Sequence, residues 1–335
     1  MLTGATGFVG GALLRELLAS GWEVRILVRP GSQRRNLQGI PDSFEVANGD
    51  LRDRESLRKA MEGCDHVFHV AARYSLWNPD PLEIYRDNVD GTRNVLEVAA
   101  RVGVKRVVYT STVGVLRAPE NGQPADESSL ADVDDIHGHY KRTKWYAEEC
   151  ARQMADTGLD VVIVNPSTPV GPQDVKPTPT GRIIVNFLRG LMPAYTDTGL
   201  NIVPVEDVAR GHILAAERGK PGRGYILGGE DMSLRRLLEV LAALTKRKPP
   251  RIALSPRLLL PMAIVSEAVS RVTQRPPWVS WEAIQMARKH MFFDSSRARQ
   301  ELGYQPTDAT LALERAVHWF QDNGYVNGKA PPPVA

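Results

Sequence analysis

The hydrophobic pattern of the first half of the chain alternates between two kinds of segment. Short β-rich runs, VRILV (24–28), DHVFHV (65–70), KRVVYT (105–110) and DVVIVN (160–165), are separated by helical patterns: GGALLRELLAS (10–20), RESLRKAMEG (54–63), PLEIYRDNVDGTRNVLEVAARVG (81–103) and HYKRTKWYAEECARQMADTG (139–158). Strand, helix, strand at this spacing predicts βαβ units and a mostly parallel, doubly wound α/β sheet, which binds ligands at the carboxyl ends of its strands. Only Met1–Thr3 precede the first glycine, so either the first strand is stunted or the chain start lies further upstream. The second half reads differently. VGPQDVKPTPTGR (170–182) is a Pro/Gly/Thr-rich loop, followed by helical patterns at 183–190, 207–218, 233–245, 257–271, 281–289 and 309–321. NIVPV (201–205) and GYILG (224–228) are short strand candidates. The expected division is a nucleotide-binding unit at 1–166, with later returns to its sheet allowed, a smaller and mostly helical substrate lobe at 167–325, and a frayed tail at 326–335. No internal repeat is visible.

Composition changes this picture little. Of 335 residues, 42% are hydrophobic and 24% charged, ordinary for a soluble globular protein. A formal charge of +3, from 42 Lys plus Arg against 39 Asp plus Glu, gives no reason to expect nucleic acid or an acidic membrane as partner. Cys64 and Cys150 imply neither a disulfide framework nor a thiolate metal site, and the seven histidines form no H-E-x-x-H pattern, so no metal is expected. No signal peptide precedes the first glycine turn, which makes a cytoplasmic location the default. The apolar stretch LLLPMAIV (258–265) is too short for a membrane span of about 20 residues and suits a pocket wall or a surface that meets an apolar substrate.

TGATGFVGG (3–11) sets glycines at 4, 7 and 10 between a strand candidate and an amphipathic helix. A tight strand-to-helix turn, close approach of backbone to phosphate, and helix amides facing an anion require that arrangement. Gly4, Thr6, Gly7, Phe8, Val9 and Gly10 are therefore the expected cradle of a dinucleotide; a structural turn without ligand is the plain alternative. At the end of the second strand, where an acidic residue would accept from the ribose of NAD, stands Arg29, with Ser32, Arg34 and Arg35 close behind. Arginine suits a 2′-phosphate, so NADP(H) is favoured and NAD(H) is the alternative, unless the arginines only solvate a loop. Asp50, with Leu51 beside it, follows the third strand; its carboxylate suits the adenine amino group or a helix cap.

GHYKRTKWYAEE (138–149) places Tyr140 four residues before Lys144, on one helix face, among Lys141 and Arg142. A neighbouring ammonium lowers the pKa of a phenol from about 10 and fits it for proton transfer. The alternative is a basic patch on a surface helix.

Together the glycine turn, Asp50, NVDGTRNVLEVA, KRVVYTST and YKRTK resemble the extended short-chain dehydrogenase/reductase family, of the NAD-dependent epimerase/dehydratase type, over nearly the whole chain. Within it, HVAARYSLWNPDPLEIY (69–85), VIVNPSTPVGPQDVKPTPTGRIIV (162–185), PAYTDTGLNIVPVEDVARGH (193–212), RGYILGGEDMSL (223–234) and ARKHMFF (287–293) are most similar to the hopanoid-associated sugar epimerases, themselves close to the dihydroflavonol 4-reductases. The resemblance implies a Rossmann-type fold with Tyr140 as acid/base, Lys144 as its partner and ribose contact, and Thr112 as the hydroxyl that orients the substrate oxygen. Ser111 is the rival hydroxyl, although strand alternation sends it to the other face. Asn88 is implied as a support for Lys144 through water, Ala71 and Ala72 as small residues lining the cofactor, and Asn165 and Pro166 as the turn beside the nicotinamide.

The implied chemistry is hydride transfer between the nicotinamide and a secondary alcohol or ketone of a small-molecule or lipid-linked sugar or polyol, in hopanoid side-chain metabolism, with contact at the membrane surface at most transient. Sugar dehydratases of this superfamily carry Asp-Glu after the active-site threonine; Val113 and Gly114 stand here and argue against that reaction. A dihydroflavonol 4-reductase-like ketone reductase is the second reading, and a non-catalytic dinucleotide-binding scaffold or redox sensor the third. Tyr74 and Trp77 in RYSLWN, Thr178 and Arg182 in the Pro/Thr loop, and Tyr195 (with Asp197) are the substrate-side candidates, each with a packing or salt-bridge alternative. The helices near 81–103 and 139–158 are the expected contact of a homodimer.

Overall fold

Seven parallel strands lie at the centre of the larger lobe of the computed structural model, which describes residues 1–74, 80–117, 123–136, 138–273 and 281–326. In chain order the first half contains β1 (Leu2–Thr3), α1 (Phe8–Ala19), β2 (Val24–Val28), β3 (Phe44–Asn48), α2 (Arg54–Met61), β4 (His66–His69), α3 (Pro81–Tyr85), α4 (Gly91–Val102), β5 (Arg106–Thr110), α5 (His139–Asp156) and β6 (Val161–Pro166). The second half contains β7 (Thr168–Val170), α6 (Pro179–Leu188), β8 (Ala194–Thr196), β9 (Gly199–Pro204), α7 (Val205–Arg218), β10 (Gly224–Leu227), β11 (Glu230–Ser233), α8 (Leu234–Thr245), β12 (Ile252–Leu254), α9 (Leu260–Thr273), α10 (Trp281–Ala287), β13 (His290–Met291), α11 (Ser296–Leu302) and α12 (Ala309–Asp322).

The large sheet runs β10-β6-β5-β4-β1-β2-β3, the doubly wound Rossmann-type order whose direction reverses beside β1. Its inner strands are largely apolar because helices cover both faces there, whereas the edge strand β3 leaves Glu45, Val46 and Asn48 exposed. In β6, Val162 and Val164 join a core with Leu13, Leu17, Val208 and Ile213 from α1 and α7, while Val161 and Ile163 join another with Leu57, Leu96 and Ala147 from α2, α4 and α5. Each such side chain contributes about 1.5–3 kcal/mol on burial. Asp53 caps α2 by accepting from the Glu55 amide, and Gly103, at φ 78°, ends α4 in the left-handed conformation that glycine adopts without strain.

A smaller, more helical lobe builds its own core from Ile184, Leu188, Leu237, Leu241, Leu313 and Phe320. β9 holds β7, β11 and β13 in a small sheet, and β8 pairs with β12.

GYILG is a later return to the large sheet: β10 pairs with β6, Gly224 against Ile163 through Leu227 against Pro166. Two sequence expectations change. The 81–103 helix is interrupted by a π-helical turn, Arg86–Asp90, which carries Asn88. The 207–218 helix starts at Val205, so the last residue of NIVPV is helical. Of the expected tail, only Val326 lies within the described residues.

Candidate active site

β1 hands over to α1 through a turn that has no room for side chains. Gly4 has φ +78°, and a Cβ there would lie 2.7 Å from the Ala71 backbone nitrogen. A Cβ on Gly10 would lie 2.0 Å from the Gly4 carbonyl oxygen. The Gly7 amide donates to that same carbonyl at 2.9 Å, and Gly7 at the N-cap brings no side chain to cap α1. Thr6, Phe8 and Val9 complete the turn. The result is a helix N-terminus with its amides open to an anion at the carboxyl end of a central strand, which fits the diphosphate of a dinucleotide.

The basic loop after β2 is tied to this turn. The Asn36 side-chain amide donates to the Thr6 carbonyl at 3.0 Å, and Arg15 donates to the Asn36 carbonyl at 2.7 Å. Arg29, Arg34 and Arg35 are exposed there. Asp50 does not cap α2, since Asp53 does; its carboxylate accepts from the Arg52 amide at 2.9 Å. Leu51 packs against Gly91, at the start of α4.

The start of α5 meets the end of β5. Lys144 is buried, and its ammonium donates to the Tyr109 hydroxyl at 2.8 Å and to the Thr110 carbonyl at 2.7 Å. Burial pulls its pKa down from 10.5 to about 7, opposed by the Glu148 carboxylate one turn on. Tyr140, one turn earlier, is half-buried, with the ring of Tyr74 edge-on at 4.6 Å between centroids. Burial raises its phenol pKa above the usual value. The expected lowering by Lys144 is therefore not what this protein surface produces by itself. The ammonium is directed to Tyr109 and Thr110, and desolvation dominates at Tyr140.

Beyond β5 the two rival hydroxyls have different surroundings. The Ser111 hydroxyl is buried without a hydrogen-bond partner, whereas Thr112 is half-buried and its oxygen accepts from the Gly114 amide at 3.1 Å. Asn88 is a hub. Its side chain accepts from the Arg73 amide (2.7 Å) and donates to the Arg73 carbonyl and the Thr143 hydroxyl (3.0 Å each). Thr143 in turn donates to the Tyr140 carbonyl at 2.7 Å. Asn88 thus holds the chain after β4, with Ala71, Ala72 and Tyr74, against the first turn of α5, rather than bonding Lys144 directly.

Other candidates are placed otherwise. Asn165 and Pro166 belong to β6, not to a turn, and the Asn165 amide donates to Glu148 (2.9 Å) and to the Thr112 carbonyl (3.3 Å). Thr178 is the N-cap of α6: its hydroxyl accepts from the Gly181 amide at 3.1 Å and gives its proton to Asp174 at 2.8 Å, so that proton is already committed. Arg182 is exposed on α6, and Tyr195 in β8 packs against the core of the smaller lobe. Trp77 lies outside the described residues.

Sequence reasoning missed Tyr109, Glu148 and His69. Glu148 stands four residues after Lys144 on α5, a spacing that signals a shared face. His69 is buried between the Thr3 and Thr92 hydroxyls, at 2.8 and 2.9 Å. Thr92 spends its proton on the Asn88 carbonyl (2.6 Å), so His69 Nε2 donates to Thr92 and Nδ1 accepts from Thr3. Burial drops its pKa to about 3 and keeps it neutral.

Known proteins resemble this chain over nearly its whole length. A protein of a Synechocystis species named "Putative dihydroflavonol 4-reductase" is 48% identical over 97% of this chain and 95% of its own. Sterol demethylase protein B of Methylococcus capsulatus is 37% identical over 97% and 99%. The crystal structure of gox2253 superposes with a TM-score of 0.87 at 45% identity, covering 97% of this chain and 98% of that one. The NAD dependent epimerase/dehydratase family matches over residues 1–228. With that match on a Rossmann-type sheet and its glycine turn, the chain belongs to the NAD dependent epimerase/dehydratase family and is an NAD(P)-dependent enzyme of the oxidoreductase/epimerase kind.

Proposed function

We propose that the protein is an NADPH-dependent reductase of a ketone on an apolar, polycyclic skeleton. The observation that carries the reading is the seating of Lys144 on the end of β5, with Tyr140 one turn earlier on the same helix and Thr112 just beyond the strand. Tyr140 gives a proton to the nascent alkoxide, and Thr112 donates a hydrogen bond to the same oxygen. Lys144 holds the ribose side of the site, one helical turn from Tyr140 on α5. Asn88 fixes the start of α5 against the chain after β4, and the Tyr74 ring walls the phenol. Gly4, Thr6, Gly7, Phe8, Val9 and Gly10 would hold the dinucleotide diphosphate, Asp50 and Leu51 the adenine side, Ala71 and Ala72 the middle, and Arg29 the 2′-phosphate that selects NADP(H) over NAD(H). When bound, the dinucleotide supplies the hydride. Arg182 and Tyr195 belong to the substrate side, within a division of 1–166 for the nucleotide and 167–325 for the substrate.

A reductase takes precedence over an epimerase because the relative at 48% identity is named a reductase. The dihydroflavonol and sterol in the relatives' names are polycyclic, which supports the substrate class. Epimerisation or oxidation at a sugar or polyol of a hopanoid side chain uses the same residues and rests on sequence resemblance alone. A cytoplasmic homodimer through α4 and α5 completes the proposal.

The purified chain, given NADPH and a panel containing a dihydroflavonol and a 3-oxosteroid, should consume NADPH in step with alcohol formed. Tightly held oxidised nucleotide that survives dialysis, with no net consumption on any ketone, would instead identify an epimerase.

A further inference from the structure

Helix α9 is built inside out. Among its described side chains Ala263, Ser266 and Ser270 are buried, whereas Met262, Ile264, Val265 and Val269 are exposed. Leu258, just before the helix, is exposed as well; Leu258 is 71% exposed, Ile264 62% and Val265 58%. Single exposed apolar residues are ordinary, but a contiguous set on one helix marks a contact surface. The Trp281 amide donates to the Glu267 carboxylate at 2.7 Å, which ties α10 to α9, and Arg288 lines a cavity with Asp197, Ala253, Leu254, Ser255 and Pro256. The described residues of β12, α9 and α10 are therefore taken together as one unit.

Its charge is one-sided. Residues 246–289 hold nine Lys or Arg and two Glu, a net +7 in a chain whose total is +3, leaving −4 for the rest. The small overall charge conceals this concentration. Lys246, Arg247, Lys248, Arg251, Arg288 and Lys289 are exposed.

We propose that this unit docks on an anionic lipid bilayer, with the apolar face of α9 in the headgroup boundary and the basic residues on lipid phosphates. α9 itself carries one Glu and one Arg; the positive charge lies in the segments before and after it, and an exposed apolar helix face flanked by clustered Lys and Arg suits an anionic lipid surface. At 14 residues α9 is about 21 Å long, shorter than the ~30 Å hydrocarbon core, so it lies on the membrane rather than crossing it. A second copy of the chain is a poor occupant, because a two-fold contact would press +7 against +7. The inference stands whatever ketone or sugar the enzyme acts on.

Flotation of the full chain with vesicles tests it. The protein should float with phosphatidylcholine vesicles containing phosphatidylglycerol, stay behind with phosphatidylcholine alone, and leave the anionic vesicles as salt rises. Val265→Asp should abolish flotation. Lys248→Gln with Arg251→Gln should lower partitioning roughly 25-fold, about fivefold per charge. Nucleotide binding and melting temperature should be unchanged in all variants, since every substituted side chain is exposed. Absence of flotation with anionic vesicles, flotation that survives Val265→Asp, or a dimer in sedimentation equilibrium that Val265→Asp dissociates would each overturn the proposal, the last in favour of a second copy.

Discussion

The Lys144 ammonium donates to the Tyr109 hydroxyl at 2.8 Å and lies 4.5 Å from the centre of the same ring. A buried cation is thus held by one phenol and a carbonyl at the end of β5, with the second phenol, Tyr140, one helical turn away. The strand positions the lysine, and the lysine's place on α5 sets where Tyr140 stands.

Holding that cation in the fold has a pH signature. Lys144 titrates near 7 in the folded chain against 10.5 normally, so between those values the unfolded chain binds more protons and stability rises with pH. Below about 7 the contribution is flat, and it is fully regained only above about 10.5. Lys144→Met should remove this upward slope, measured by urea unfolding at pH 7 and 9, and should be at least as stable as the parent at pH 7. It should also weaken nucleotide binding. An unchanged slope would show that Lys144 titrates normally.

Thr112 and Ser111 should part company on substitution. Thr112→Ser keeps the hydroxyl and most of the activity, whereas Thr112→Val should lose at least about tenfold in the chemical step. Ser111→Ala removes a buried hydroxyl that has no partner and should leave turnover unaltered, with stability within ~0.5 kcal/mol or improved. A tolerated valine with a crippled Ser111→Ala enzyme would reverse the assignment.

Gly10→Ala tests the turn. The added methyl meets the Gly4 carbonyl, so the backbone must move where the diphosphate should sit. Titration with NADPH should show binding weakened at least about tenfold, and the strain should cost about 1–3 kcal/mol. Full-strength binding would place the nucleotide elsewhere.

Cofactor choice rests on Arg29. Arg29→Ala should weaken NADPH much more than NADH, because only NADPH carries the 2′-phosphate. Equal weakening of the two by fluorescence titration would remove Arg29 from that role.

What the sequence made legible is what backbone geometry or periodicity demands. A glycine turn falls between β1 and α1, and Tyr140 and Lys144 share α5, as periodicity demands; the direction of the Lys144 ammonium, toward Tyr109 and Thr110 rather than Tyr140, was not legible. Pairing partners are another matter. Nothing in GYILG says that it joins β6, because a four-residue buried strand carries no label for its neighbour. The π-helical turn at Asn88 is silent for a similar reason, since the apolar period runs on through it. Thr178 illustrates a readable signal passed over: a threonine directly before Pro179 is a helix-start pattern, and its hydroxyl serves that end. Tyr109 was hidden in a strand whose centre, Val107 to Tyr109, reads as core; only the packing of α5 onto β5 brings its hydroxyl to Lys144. The basic, apolar stretch at 246–289 was diluted by averaging charge over the whole chain.

The central claim is that Tyr140 moves the proton, and single-turnover hydride transfer in Tyr140→Phe tests it most directly, using whichever ketone the parent reduces. The substitution removes one oxygen and keeps the ring that meets Tyr74. The account predicts an intact fold, NADPH binding within about twofold of the parent, and a chemical step slower by about two to four powers of ten. A folded Tyr140→Phe protein that reduces the ketone at near-parental rate would contradict it.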